Sequence, residues 1–132
     1  MTDDPIWLTK PIIVSIHEQL IEQFGGLGGV RDDGLLDSAL GRPRHLFAYG
    51  STDPLDLAAA LAFGIAKNHP FHDGNKRTAF MAAYTFLGLN GWQVTATEAE
   101  ATLATLGLAD GSIDETGFAA FLRDHCEPIP KP

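Results

Sequence analysis

His69-Pro-Phe-His-Asp-Gly-Asn-Lys-Arg77, followed directly by Thr78-Ala-Phe-Met-Ala-Ala-Tyr-Thr-Phe-Leu-Gly-Leu89, is the stretch on which the reading of this chain turns. Its second half is apolar nearly all round, the mark of a central helix buried on most faces. Its first half breaks the chain at Pro70 to Gly74 and then sets two cations, Lys76 and Arg77, at the start of that helix. A helix N-terminus carries positive partial charge and unpaired amides, so each cation there is disfavoured by roughly 0.3–1 kcal/mol. An anion held by Gly74, Asn75 and the amides that follow, with Lys76 and Arg77 as further ligands, removes the conflict. Gly74 lets that backbone approach closely. Asp73 suits a divalent ion such as Mg²⁺, which bridges one carboxylate to phosphate oxygens. The implied ligand is a polyphosphate with Mg²⁺.

Upstream, Asp53 is suited to cap a helix with Pro54 at its first position, and Leu57, Ala58, Leu61, Ala62 and Ile65 form its apolar stripe. That helix is expected to run to about Asn68. His69 extends the stripe of Ala58, Ala62 and Ile65, so its side chain is expected to face the interior beside the anion. A lone histidine on an apolar face is ordinarily a hydrogen-bonded core residue. Beside a phosphate and a metal, an imidazole with an unperturbed pKa of about 6.5 is instead suited to take the proton of an attacking hydroxyl. Pro70 and Phe71 read as structural and His72 as a solvated loop side chain.

Farther out, Pro11, Ile12, Ile13, Ile16, Leu20 and Phe24 give a first amphipathic helix ended by Gly25-Gly26. Gly25 to Gly34 reads as a loop, and Leu35 to Leu40 as a short helix closed by Gly41 and Pro43. From Arg42 to Ser51 there is no clear period, which predicts an exposed loop or small hairpin. Trp92 to Thr95 is a short extended link. Thr97 and Glu100 form a capping box for a helix reaching Leu106, and Asp114 opens a last helix with Phe118, Phe121 and Leu122 inward. The Pro-rich tail, residues 127–132, is expected to fray. The fold class is all-α, a compact helical bundle forming a single domain over residues 1–132.

Composition narrows the function. Nine Lys and Arg against 17 Asp and Glu give a net charge of −8, a field that repels nucleic-acid backbones and argues against direct nucleic-acid binding. The acidic start lacks the basic region of a secretory peptide, and the longest apolar stretch, Leu57 to Ala66, is too short to span a bilayer. Cys126 is the one cysteine, so no internal disulfide forms, and it reads as a partly buried small residue. A cytoplasmic protein with no membrane partner is expected.

His69 to Arg77 resembles the motif of Fic proteins, His-Pro-Phe-x-Asp/Glu-Gly-Asn-Gly/Lys-Arg, without interruption. Lys76, where most Fic enzymes have glycine, and the continuation Arg77-Thr78-Ala79 resemble the Doc (death-on-curing) branch. Arg31 to Pro43 and Gly107 to Asp114 extend the likeness over most of the chain. The resemblance implies the Fic/Doc bundle, with a flap near residues 42–50 that lays out a target segment, and in it Arg42, Arg44, His45, Leu46 and Phe47. It implies His69 as general base, Asp73 as Mg²⁺ ligand, and Gly74 and Asn75 as the anion-binding turn. Lys76 and Arg77 would neutralise phosphate charge in the transition state.

Adenylylating Fic enzymes usually have a second arginine three residues after the first; here that position is Phe80. Lys76 also fills space that glycine leaves open. Doc-like proteins share both features, which implies a toxin kinase using ATP to phosphorylate a threonine of elongation factor Tu and so stop translation. No Ser or Thr in the chain is followed four residues later by Glu, the pattern of the inhibitory helix in many Fic proteins. Restraint is therefore expected from a small antitoxin supplied in trans. Adenylyl transfer is the nearest rival. Metal-dependent phosphohydrolysis around His72-Asp73 and a non-catalytic, partner-binding role are weaker ones.

Overall fold

The structure is a computed structural model, and residues 4–130 are described. Six helices and two short strands follow in the order α1 (Lys10–Phe24), α2 (Asp33–Ala48), α3 (Pro54–Asn68), α4 (Asn75–Leu89), β1 (Trp92–Val94), α5 (Glu98–Asp110), α6 (Glu115–Asp124) and β2 (Cys126–Pro128). Their starts follow the capping chemistry. Asp53 accepts from the Leu55 amide, Thr97 and Glu100 complete a reciprocal capping box, and Asp114 accepts from the Gly117 amide. Gly25 and Gly111, both with positive φ, end α1 and α5.

The helix buried on most faces is α3, not α4. Leu57 to Leu61 are all buried, and α3 packs against α2, α4, α5 and α6. Its alanines let those neighbours close in, and a Cβ on Gly64 would lie 2.9 Å from the Ala39 Cα of α2. Helix α4 buries Thr78, Ala79, Ala82, Ala83, Phe86 and Leu87, but leaves Tyr84 exposed and Phe80 and Met81 half-exposed. Those three side chains face a cavity rather than the core.

Two local expectations are corrected. Residues 42–48 are neither loop nor hairpin: α2 continues through Gly41 and Pro43 to Ala48. A proline inside a helix costs about 3 kcal/mol. Here Leu36, Ala39 and Pro43 form one buried stripe, and the turns beyond are held by half-buried Leu46 and Phe47. The Phe47 and Trp7 rings meet in a T-shaped pair with centroids 5.7 Å apart, and Arg42 pairs with Glu115 and covers the Phe63 ring. Tertiary packing overrides the local break.

The tail expected to fray supplies a strand. Trp92, Gln93 and Val94 pair antiparallel with Pro128, Glu127 and Cys126, and the Ile129 amide donates to the Gly91 carbonyl. Residues 131–132 lie outside the described residues. Burial pushes the Cys126 thiol up to about 11, leaving it protonated and unreactive near neutrality. Among the described residues no helix is long and apolar enough to cross a membrane.

Candidate active site

Helix α3 ends at Asn68, and the chain turns sharply at His69, whose backbone is left-handed (φ 49°, ψ 56°). His69 is therefore not the next residue of the α3 stripe. Its side chain is exposed and borders a cavity of about 740 Å³ between α1, α4 and α5. Among the described residues it is the non-glycine with positive φ, a conformation costing of order 1–3 kcal/mol.

The turn is framed from outside the motif. Residues 29–32 run beside it, with a bridge between Val30 and Phe71, and the Arg31 and Asp32 amides donate to the Pro70 carbonyl. The Arg31 guanidinium donates through Nε to the His69 carbonyl at 2.8 Å and through Nη2 to the Asn68 carbonyl at 3.0 Å. From α1, buried His17 donates through Nε2 to the Asp73 carbonyl at 2.7 Å, and its ring stacks on Phe71 with centroids 3.9 Å apart. Phe71 is fully buried and anchors the loop, as its apolar character implies.

Gly74 has φ 77° and precedes α4 without any side-chain cap, and the first turn of α4 holds no acid. The buried Asn75 carboxamide turns inward, accepting from the Phe71 amide at 3.0 Å and donating to the Phe71 carbonyl at 2.9 Å. It shapes the turn, and the first amides of α4 have no intrahelical acceptor and no side-chain cap. Lys76 and Arg77 are exposed at the cavity, and no carboxylate lies within ion-pair distance of either among the described residues. The Arg77 guanidinium lies 4.2 Å from the centroid of the Phe24 ring.

Asp73 is exposed at the same cavity, and its Oδ2 accepts from the Leu27 amide at 2.7 Å. Its other oxygen is available to a cation. No group of three or more His, Cys, Asp or Glu converges among the described residues. Asp73 thus offers one carboxylate oxygen, a donor set that fits Mg²⁺ completed by phosphate and water better than an all-protein metal cage. His72 is a solvated loop residue beside it, as expected.

The residues expected in a flap lie elsewhere. Arg42, Arg44, His45, Leu46 and Phe47 occupy the last turns of α2, and none borders the cavity that holds His69. Arg44 covers the Trp7 ring at 5.2 Å, and Leu46 borders a separate cleft of about 270 Å³ with Glu115 and Arg123. His17, Leu27 and Arg31 were missed. His17 carries the one usable signal, since it falls four residues after Ile13 on the buried stripe of α1.

The sequence profile of the Fic/DOC family matches residues 7–87. The chain is 37% identical over 112 residues to a protein named "Protein kinase doc" from Escherichia phage P1, covering 84% of this chain and 88% of that one. It is 43% identical over 108 residues to a "Toxin Doc" from Mycolicibacterium smegmatis, covering 74% of this chain and 83% of that one. With the motif folded around a single cavity and the likeness running through most of its length, the chain belongs to the Fic/Doc family.

Proposed function

We propose that this protein is a Doc-type toxin kinase that transfers the γ-phosphoryl group of ATP to a Ser or Thr hydroxyl of another protein. The observation that carries this reading is the pair of cations, Lys76 and Arg77, without an ion-pair partner among the described residues, at the uncapped start of α4 beside exposed His69 and Asp73. The names of the two relatives, a protein kinase and a toxin, support it.

In this reading the amides after Gly74 and the charges of Lys76 and Arg77 bind the phosphates and stabilise the charge of the transition state. His69 accepts the proton of the acceptor hydroxyl as its oxygen bonds to the γ-phosphorus. The bond to the β–γ bridging oxygen breaks, and ADP leaves. Mg²⁺, held by Asp73 and phosphate oxygens, would neutralise charge on the leaving group. Phe80 borders the cavity where an arginine would grip an outer phosphate for adenylyl transfer, which favours phosphoryl transfer.

The proposed acceptor is elongation factor Tu, modified in the cytoplasm with arrest of translation, and a small antitoxin bound in trans restrains the toxin. Incubation with elongation factor Tu, ATP and Mg²⁺, followed by intact mass measurement, tests the reaction. A gain of one phosphate on the factor, absent with H69A, is expected. A gain of AMP would replace the kinase by an adenylyltransferase, and growth arrest that persists with H69A would point to a binding role.

A further inference from the structure

We infer that Arg31 is a positioning residue for His69: its guanidinium holds the two peptide groups on either side of His69 and so fixes the backbone that presents the imidazole to the cavity. The carbonyls it engages, at 3.0 and 2.8 Å, are those of Asn68 and His69. The first belongs to the peptide whose orientation goes with φ of His69, the second to the peptide that goes with ψ. In a helical-sense conformation of either hand consecutive carbonyls point to the same side, whereas in an extended one they point to opposite sides. Nε and Nη2 lie along one edge of a rigid, planar guanidinium. Two donors on one edge are thus satisfied when the two carbonyls point together, as they do at φ 49°, ψ 56°.

An L-residue adopts this conformation only where its surroundings impose it. The surroundings here converge on the same point. The Arg31 and Asp32 amides both donate to the Pro70 carbonyl, at 2.7 and 3.1 Å, so Arg31 is itself held in register with the turn. Its charge also lies against the carbonyl end of α3, where a cation is favoured. Arg31 does not border the cavity, so it acts through His69 and not on a ligand. Lysine cannot replace it, because a single ammonium lacks the fixed two-donor edge.

The kinetic part of this inference rests on the transfer reaction proposed above, and the conformational part does not. A double-mutant cycle in chemical denaturation tests the latter with R31K or R31A, H69G and their combination. Glycine adopts positive φ freely. When Arg31 is lost the parent chain recovers the strain of the left-handed His69, whereas H69G has none to recover, so loss of Arg31 is expected to destabilise the H69G background more than the parent, and an equal or smaller loss in H69G would overturn the inference. R31K carries the cycle if R31A does not fold. In the transfer assay R31K should lower kcat by roughly 10–100-fold, the scale of a small misplacement of a reacting group, with KM for ATP held within about twofold and partial rescue of R31A by added guanidinium. An unchanged kcat, or parallel loss of kcat and ATP affinity, would overturn it. If the parent chain transfers nothing, the kinase reading fails while the denaturation cycle still decides what Arg31 does.

Discussion

Asn75 spends both ends of its carboxamide on the Phe71 peptide unit, and this small ring holds the turn between His69 and α4. N75A leaves a buried amide and carbonyl unpaired and is expected to lower stability by about 1–3 kcal/mol. N75D keeps the acceptor but sets a carboxylate against the Phe71 carbonyl, so chemical denaturation should rank it at least as damaging as N75A. Either change should also weaken nucleotide binding, because the first-turn amides of α4 depend on that turn. The residues of this site were legible because they are contiguous from His69 to Arg77 and because Lys76 and Arg77 contradict the helix dipole. What was not legible is conformational and long-range. The left-handed backbone of His69 and the bonds from Arg31 and His17 arise across 38 and 56 residues of chain, where no local pattern reports them.

Helix α5 forms one wall of the cavity and is tied down at its start by Thr97 and Glu100. T97A removes the reciprocal cap and should cost about 1 kcal/mol, read from the denaturation midpoint. The same Glu100 reaches α6. His125 faces the Phe121 carbonyl through Nδ1 and the Glu100 carboxylate through Nε2, two acceptors that only the doubly protonated ring satisfies together. The Phe121 carbonyl first, then Glu100, raise the His125 pKa, and Asp124 adds to this. The Thr97 amide and hydroxyl first, then His125, lower that of Glu100. A raised histidine stabilises fully below its unfolded value, 6.5, and loses that contribution as pH rises through the folded one. A depressed glutamate stabilises above its unfolded value, 4.5, and loses that contribution as pH falls through the folded one. Both contributions coexist between 4.5 and 6.5, and stability should decline as pH rises from there through the folded His125 value. E100Q should flatten that decline, and an equal slope in parent and variant would refute the coupling. At this scale Asp53, Thr97 and Asp114 were read correctly from local chemistry. Pro43 misled for the opposite reason: its local penalty is real, but Trp7, Phe63 and Glu115, which offset it, come from distant parts of the chain.

Across the whole molecule the net charge is −8, yet Lys76 and Arg77 stand together at one cavity mouth with no carboxylate within ion-pair distance among the described residues. A polyphosphate bound as proposed would approach against the general field and bind through the local one. ATP with Mg²⁺ at a hundred times its Kd should stabilise the fold by about 2.7 kcal/mol, visible as a rise in Tm. That rise should vanish when Lys76 and Arg77 are both replaced by Met, shrink with D73N only while Mg²⁺ is present, and weaken at high salt. The bundle itself was readable from helical periodicity. The central place of α3 over α4 was not, since two apolar helices of equal length are distinguished only by what packs on them.

The pairing of β1 with β2 has a topological consequence. It joins the chain just before α5 to the chain just after α6, so everything between Val94 and Cys126 is a closed excursion whose two ends are stapled together. The exposed turn at Gly111 and Ser112 is the far tip of that excursion. A single cut there would leave each piece holding one strand of the staple, with α6 still packed on α3. The two halves should therefore remain one particle on size exclusion and reassemble from separately expressed pieces, which makes this tip a natural place to split the protein into a conditional pair.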